Sequence, residues 1–107
     1  MNQQVLHTEE EFHNLLQTEE KFFLFKHSLT CPISAAARNE FENFIAIAPV
    51  PCYILHVQES RQLSNSIAKE FKVRHESPQA LLFENKKVVW NDSHGAITKN
   101  RLRRLVE

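Results

Sequence analysis

Two short, unbroken apolar runs constrain this chain more than any other feature: Lys21-Phe22-Phe23-Leu24-Phe25-Lys26 and Cys52-Tyr53-Ile54-Leu55-His56-Val57. Continuous runs of this length suit strands buried on both faces, as parallel strands between helices are. A helical pattern follows each of them. After the first, Ala35, Ala36, Ala37, Phe41, Phe44 and Ile45 predict a helix up to about Ala46. Pro32 opens it, at the position where a missing N–H costs nothing, and Pro49 and Pro51 close it. After the second, Ser60 is expected to cap a helix through Leu63, Ile67, Ala68 and Phe71. Upstream, Val5-Leu6-His7 reads as a short edge strand. Thr8 and Glu11 form a capping box for a helix over about residues 9–18. Downstream, Ala80 to Glu84 and Val88 to Asn91 read as a hairpin joined by Asn85-Lys86-Lys87, although no glycine follows Asn85. Thr98 caps a last helix carrying Leu102, Leu105 and Val106 on one face. The order β-α-β-α-β-α-β-β-α predicts an α/β fold, a central mixed sheet with helices on both faces, in one domain over residues 1–107.

Several function classes fall away on composition. Gly95 is the only glycine in 107 residues, so a Walker loop, a dinucleotide fingerprint and a Gly-rich phosphate cradle are excluded. Thirteen basic residues balance thirteen acidic ones. Nucleic acid and membrane surfaces need a patch of one sign, so neither is expected as a partner. Residues 1–11 are polar and acidic, without the apolar core of a signal peptide, and the expected location is the cytoplasm. A balanced surface on a small domain makes a monomer the expectation.

Two cysteines cannot build a disulfide scaffold, and each is core filler or reagent. Cys31 follows the end of a buried strand at the first turn of a helix, where open parallel sheets place their sites. Unpaired amides and the helix dipole favour an anion there, which makes a thiolate nucleophile. Cys52 opens the neighbouring parallel strand. Some six strand residues, about 20 Å, would separate it from Cys31, far beyond the ~7 Å a disulfide allows. Cys52 therefore reads as core. Cys31 to Arg38 is one residue too long for a thiol-phosphatase loop, and the segment has no glycine. No Cys-x2-Cys or His-x3-His pair occurs, so no metal site is expected.

Cys31-Pro32-Ile33-Ser34 resembles the Cys-x-x-Cys of the thioredoxin superfamily with Ser34 in place of the second cysteine. The stretch from Phe71 to Phe83 is also similar to thioredoxin, where an Arg precedes a cis-proline and a Leu-rich strand. Here one extra residue lies between Arg74 and Pro78. Lys26-His27-Ser28, Thr30-Cys31-Pro32-Ile33-Ser34, Trp90, Ser93-His94 and Ile97-Thr98 together resemble the YtxJ-type monothiol bacilliredoxins over nearly the whole chain.

That resemblance implies a thioredoxin-like fold and thiol–disulfide exchange with bacillithiol as thiol substrate and no bound cofactor. Cys31 would be the catalytic nucleophile, supported by Thr30, Pro32 and Ser34. Partners would be bacillithiolated client proteins and a reducing thiol, in a stress response. Pro78 is expected to be cis and to lie against the thiol, with the Ser77 backbone pairing with client or bacillithiol. His94 would polarise the thiolate or bind a bacillithiol carboxylate. Lys26 and His27 are expected on the thiol's other side, and most of the six histidines in solvent. An alternative is a non-enzymatic monothiol carrier or iron–sulfur module using one Cys from each protomer. Pro32 stiffens the turn and speaks against it. A stress sensor merely capped by small thiols needs the same activated thiolate.

Overall fold

The computed structural model describes residues 4–28 and 32–106, with side chains over 5–28 and 35–106. Five strands form one sheet: β1 (Gln4–Val5), β2 (Lys21–His27), β3 (Cys52–His56), β4 (Gln79–Glu84) and β5 (Lys87–Ser93). Their order is β1-β3-β2-β4-β5. β1 and β2 run parallel to β3, while β4 runs antiparallel to both β2 and β5. Four α-helices lie between and after them: α1 (Glu9–Thr18), α2 (Pro32–Ile45), α3 (Arg61–Phe71) and α4 (Lys99–Leu105). A single 3-10 turn, His94–Ala96, joins β5 to α4. The α/β architecture expected from the sequence is the one observed.

Strand alternation divides the core into two layers. Phe22 and Leu24 of β2 pack with Phe12, Leu15 and Leu16 of α1 and with Leu63 and Ile67 of α3. Phe23 and Phe25 face the other way, onto Ala37, Phe41, Phe44 and Ile45 of α2 and Leu102 of α4. Buried positions 37, 41, 44 and 45 recur at helical spacing, which presents one apolar stripe of α2 to the sheet. The first layer is built on aromatic contacts. Phe83 stacks on Phe22 at 4.8 Å and meets Phe12 and Phe71 edge-on at 5.5 and 5.1 Å. Trp90 is half-buried and edge-on to Phe23.

Local chemistry explains where the elements start and stop. The Thr8 hydroxyl accepts the Glu11 amide, and the Glu11 carboxylate accepts the Thr8 and His7 amides. Those bonds hold the Glu11 carboxyl below its ordinary range. The Thr98 cap also forms, accepting the Arg101 amide. Glu40 of α2 accepts the Lys99 amide at 2.8 Å, placing a carboxylate at the α4 N-terminus. Ser60 differs from expectation. It precedes α3, but its hydroxyl makes no cap bond, because a ψ of 49° takes it out of the extended cap conformation. The edge strand also differs, ending at Val5 instead of His7.

The hairpin closes through two residues, Asn85 and Lys86, with φ of 53° and 67°. Both are left-handed, as a type I′ turn requires. A lysine in that conformation costs about 1 kcal/mol that glycine avoids. Lys86→Gly is therefore expected to raise stability by about 0.5 kcal/mol, read as a higher urea midpoint at constant slope.

Candidate functional site

Strand register gathers the ends of four segments at one edge of the sheet. His27, the last residue of β2, lies opposite His56, the last of β3. Gln79, the first residue of β4, lies opposite Lys26 on one side and Ser93 on the other. Pro78 and His94 thus flank the same end, and the His94 amide donates to the Pro78 carbonyl at 3.1 Å. α2 begins at Pro32, so Cys31 directly precedes a four-turn helix in the chain. Thr30 and Cys31 lie outside the described residues, as do the side chains of Pro32 and Ser34.

The Ser77–Pro78 peptide is cis, as the resemblance implies. Pro78 is buried and Ser77 half-buried. The segment before them carries no regular structure, yet five contacts tie it and Pro78 down. Gln79 donates its amide to the Arg74 carbonyl at 3.0 Å. His75 Nδ1 stands 3.2 Å from the Ser64 hydroxyl and 3.5 Å from Lys26 Nζ. Glu76 lies 3.7 Å from His94 Nδ1, and Pro78 holds the His94 amide. His94 itself is exposed and takes a left-handed φ of 55°. Its ring rims a cleft of about 200 Å³ with Ala36, Ala37, Glu40 and Ile97, beside the first turns of α2.

A second set of groups occupies the α2 side. His27 is buried, with its ring centroid 5.7 Å from that of half-buried His56. Burial, the Arg38 guanidinium and His56 push His27 below its ordinary pKa, against a smaller opposing pull from Glu42. Burial and Arg38 also lower His56, while Glu59 opposes them. Both imidazoles are thereby biased to the neutral form, beside a fixed cation.

Lys26 departs from the sequence expectation. Alternation sends it to the α1/α3 face, opposite to His27, and it has no exposed surface at all. It lies inside the domain under the 74–78 segment, with Nζ on Ser64 and His75. The histidines depart too, since His27, His56 and His75 are buried or half-buried and only His7, His13 and His94 are exposed. A signal for Lys26 was present: counting by twos along β2 puts it on the face of Phe22 and Leu24. Nothing local marks His56 or His75, whose placement follows from strand register and from the length of the loop after α3.

Cys52 behaves as core. It is buried, its thiol donates to the Val50 carbonyl at 3.5 Å, and burial pushes it up to about 12. It pairs with Phe23, four residues back from His27, which is about 13 Å of strand. Among the described residues, no three His, Cys, Asp or Glu side chains gather as a metal site. No helix among them is long and apolar enough to cross a membrane.

The sequence matches the family described as monothiol bacilliredoxin BrxC over residues 4–102. The chain belongs to the monothiol bacilliredoxin family. A solved structure described as a candidate oxidoreductase with a thioredoxin fold is 40% identical, with a TM-score of 0.91 over 97% of this chain and 93% of that one. Mitochondrial thioredoxin 3 from Saccharomyces cerevisiae is 19% identical, with a TM-score of 0.75 over 97% of this chain and 92% of that one. A mutant thioredoxin from Halobacterium salinarum is 15% identical, with a TM-score of 0.78 over 99% and 88%. The two thioredoxins show the fold. The family and the 40%-identical oxidoreductase give this bacilliredoxin a thiol redox role.

Proposed function

We propose that this protein is a thiol–disulfide oxidoreductase that removes bacillithiol from mixed disulfides on client proteins, with Cys31 as nucleophile. The observation that carries the reading is the convergence of the α2 start, directly after Cys31 in the chain, with the cis Ser77–Pro78 segment and His94 at one sheet end. The N-terminus of a 14-residue helix favours an anion. A cysteine beside it ionises more readily than a free one.

The exchange balances in two steps. Cys31 thiolate attacks the bacillithiol sulfur of the mixed disulfide. A bond forms between Cys31 and bacillithiol, the client–bacillithiol bond breaks, and the client leaves as a thiolate that takes a proton from solvent. A second thiol then attacks the Cys31–bacillithiol bond, leaving with bacillithiol as a new disulfide and returning Cys31. Ser34 has no thiol, so the motif cannot resolve the adduct internally and an external thiol must act. The Ser77 backbone and the cleft beside His94 are suited to hold the client or the bacillithiol moiety while sulfur transfer proceeds. The work is placed in the cytoplasm, on a monomer.

Intact-protein mass spectrometry after incubation with a bacillithiol-modified client tests the reading. Mass moving from client to this chain supports it. A client that keeps its adduct beside a free Cys31 overturns it. Ser34→Cys is expected to gain a disulfide with Cys31, seen as a loss of two thiols on titration after mild oxidation, since residues three apart at a helix start fall within disulfide reach.

A further inference from the structure

We propose that Lys26 is a positioning residue for thiol exchange: it clamps the 74–78 segment, and with it the Ser77–Pro78 backbone, from the α1/α3 side of the sheet. The inference rests on Cys31 being the working thiol, since it assigns Lys26 to the loop expected to face that thiol.

Every other side chain of β2 on this face is apolar. A leucine or methionine would fill the Lys26 position without removing an ammonium from water. Burial without a counter-charge is costly, and it pulls the Lys26 pKa down to about 8. Its bonds go to no carboxylate. Nζ donates to the Ser64 carbonyl of α3 at 3.1 Å and reaches His75 Nδ1 at 3.5 Å. The Ser64 hydroxyl meets the same imidazole nitrogen at 3.2 Å. Three parts of the fold therefore meet at one point: the end of β2, the second turn of α3, and the irregular segment that leads to Pro78.

Neighbouring groups extend the clamp. Gln79, paired with Lys26 across the sheet, points to the same face and holds the Arg74 carbonyl. His75 can accept from Lys26 only while Nδ1 is unprotonated. Burial, together with the Lys26 and Arg61 charges, lowers the His75 pKa and favours that state, with Glu76 opposing. On the far side of the loop, Glu76 and the Pro78 carbonyl engage His94. The segment is thus held at both ends and from both sides, and Lys26 ties it by a side chain to β2, the strand that precedes Cys31 in the chain.

A role in positioning and a role in stability predict opposite results for Lys26→Met. A group with a depressed pKa, cationic at neutral pH, costs stability below about pH 8, a cost relieved as pH rises toward the ordinary lysine range. Removing it is expected to leave the melting temperature unchanged or raise it. Transfer from a bacillithiolated client should nonetheless show a client KM raised about tenfold with kcat less affected. Amide hydrogen exchange at His75, Glu76 and Ser77 should accelerate, while β2 and α3 stay protected. The His75 pKa, followed by NMR, should rise as the facing charge is lost. His75→Gln, which leaves the strand intact, serves as the second variant and should reproduce the KM rise if Lys26→Met does not fold. Unchanged exchange at 75–77 in a folded variant would overturn the proposal, as would a fall in activity that only parallels a fall in melting temperature. If the parent itself takes no bacillithiol, the function proposed above fails, and exchange at the loop still decides the role of Lys26.

Discussion

Replacing Cys31 by Ser is expected to abolish bacillithiol transfer, leaving the client's adduct intact in the mass spectrum at times when the parent has removed it fully. The expectation follows from the chemistry of the other sulfur. Cys52 is buried, its thiol is held up to about 12, and its strand level is four residues from the site edge. At neutral pH it is thiol and not thiolate, so it offers no nucleophile in place of Cys31. The melting temperature should barely move, because a Cys-to-Ser change removes one sulfur for one oxygen. Persistent transfer in Cys31→Ser would sink the exchange mechanism, because among the described residues Cys52 is the sole thiol.

Phe83→Ala is expected to cost about 3–5 kcal/mol and to lower the melting temperature by more than about 10 °C. Phe83 has no exposed surface and touches the rings of Phe12, Phe22 and Phe71. Four aromatic rings from α1, β2, α3 and β4 interlock there, so truncation opens a cavity that no single neighbour can fill. Thermal and urea unfolding monitored by circular dichroism would give the loss directly. A change below about 1 kcal/mol would mean that the layer collapses around the gap, contrary to the close packing described. The fraction still folded should retain transfer, since Phe83 points to the α1/α3 face and away from α2.

The order of elements was legible because β2 and β3 are continuous apolar runs and because α2 carries its apolar residues at positions 37, 41, 44 and 45. Thr8 and Thr98 announced their helices through side-chain bonds to nearby amides, a chemistry contained within four residues. Ser60 announced its helix as well, although its hydroxyl takes no part in the cap, because position alone fixes where α3 starts. The hairpin was expected with a three-residue connection through Lys87, whereas Lys87 already pairs with Glu84 in β5 and the turn is the two residues Asn85 and Lys86, both left-handed without glycine.

The candidate site was less legible. Pro78 and His94 could be nominated from resemblance to a family, but the bond between them depends on β4 and β5 pairing in one register. Lys26 and His27 were expected together on one side, whereas a strand sends consecutive side chains to opposite faces, which puts Lys26 in the interior on the α1/α3 side. His56 and His75 were unreadable for a different reason. His56 meets His27, 29 positions away, and His75 meets Ser64 and Lys26, 11 and 49 positions away, and no local pattern encodes which strand ends or loops come to rest together.

The sheet's two borders also bear on how the molecule behaves among its own kind. A strand at a border offers unpaired amides and carbonyls to any other chain that can align with them. β5 forms one border over seven residues, with Val89 half-exposed in its middle. Lys86 and Lys87 at its start, Asp92 near its end, and the irregular register between Leu82 and Phe83 make that border charged and uneven. Charges and kinks of this kind are what keep exposed strands from recruiting one another into fibres. The hairpin's lysines therefore serve colloidal solubility, and replacing Lys87 or Asp92 by an apolar residue would turn a guarded border into an adhesive one.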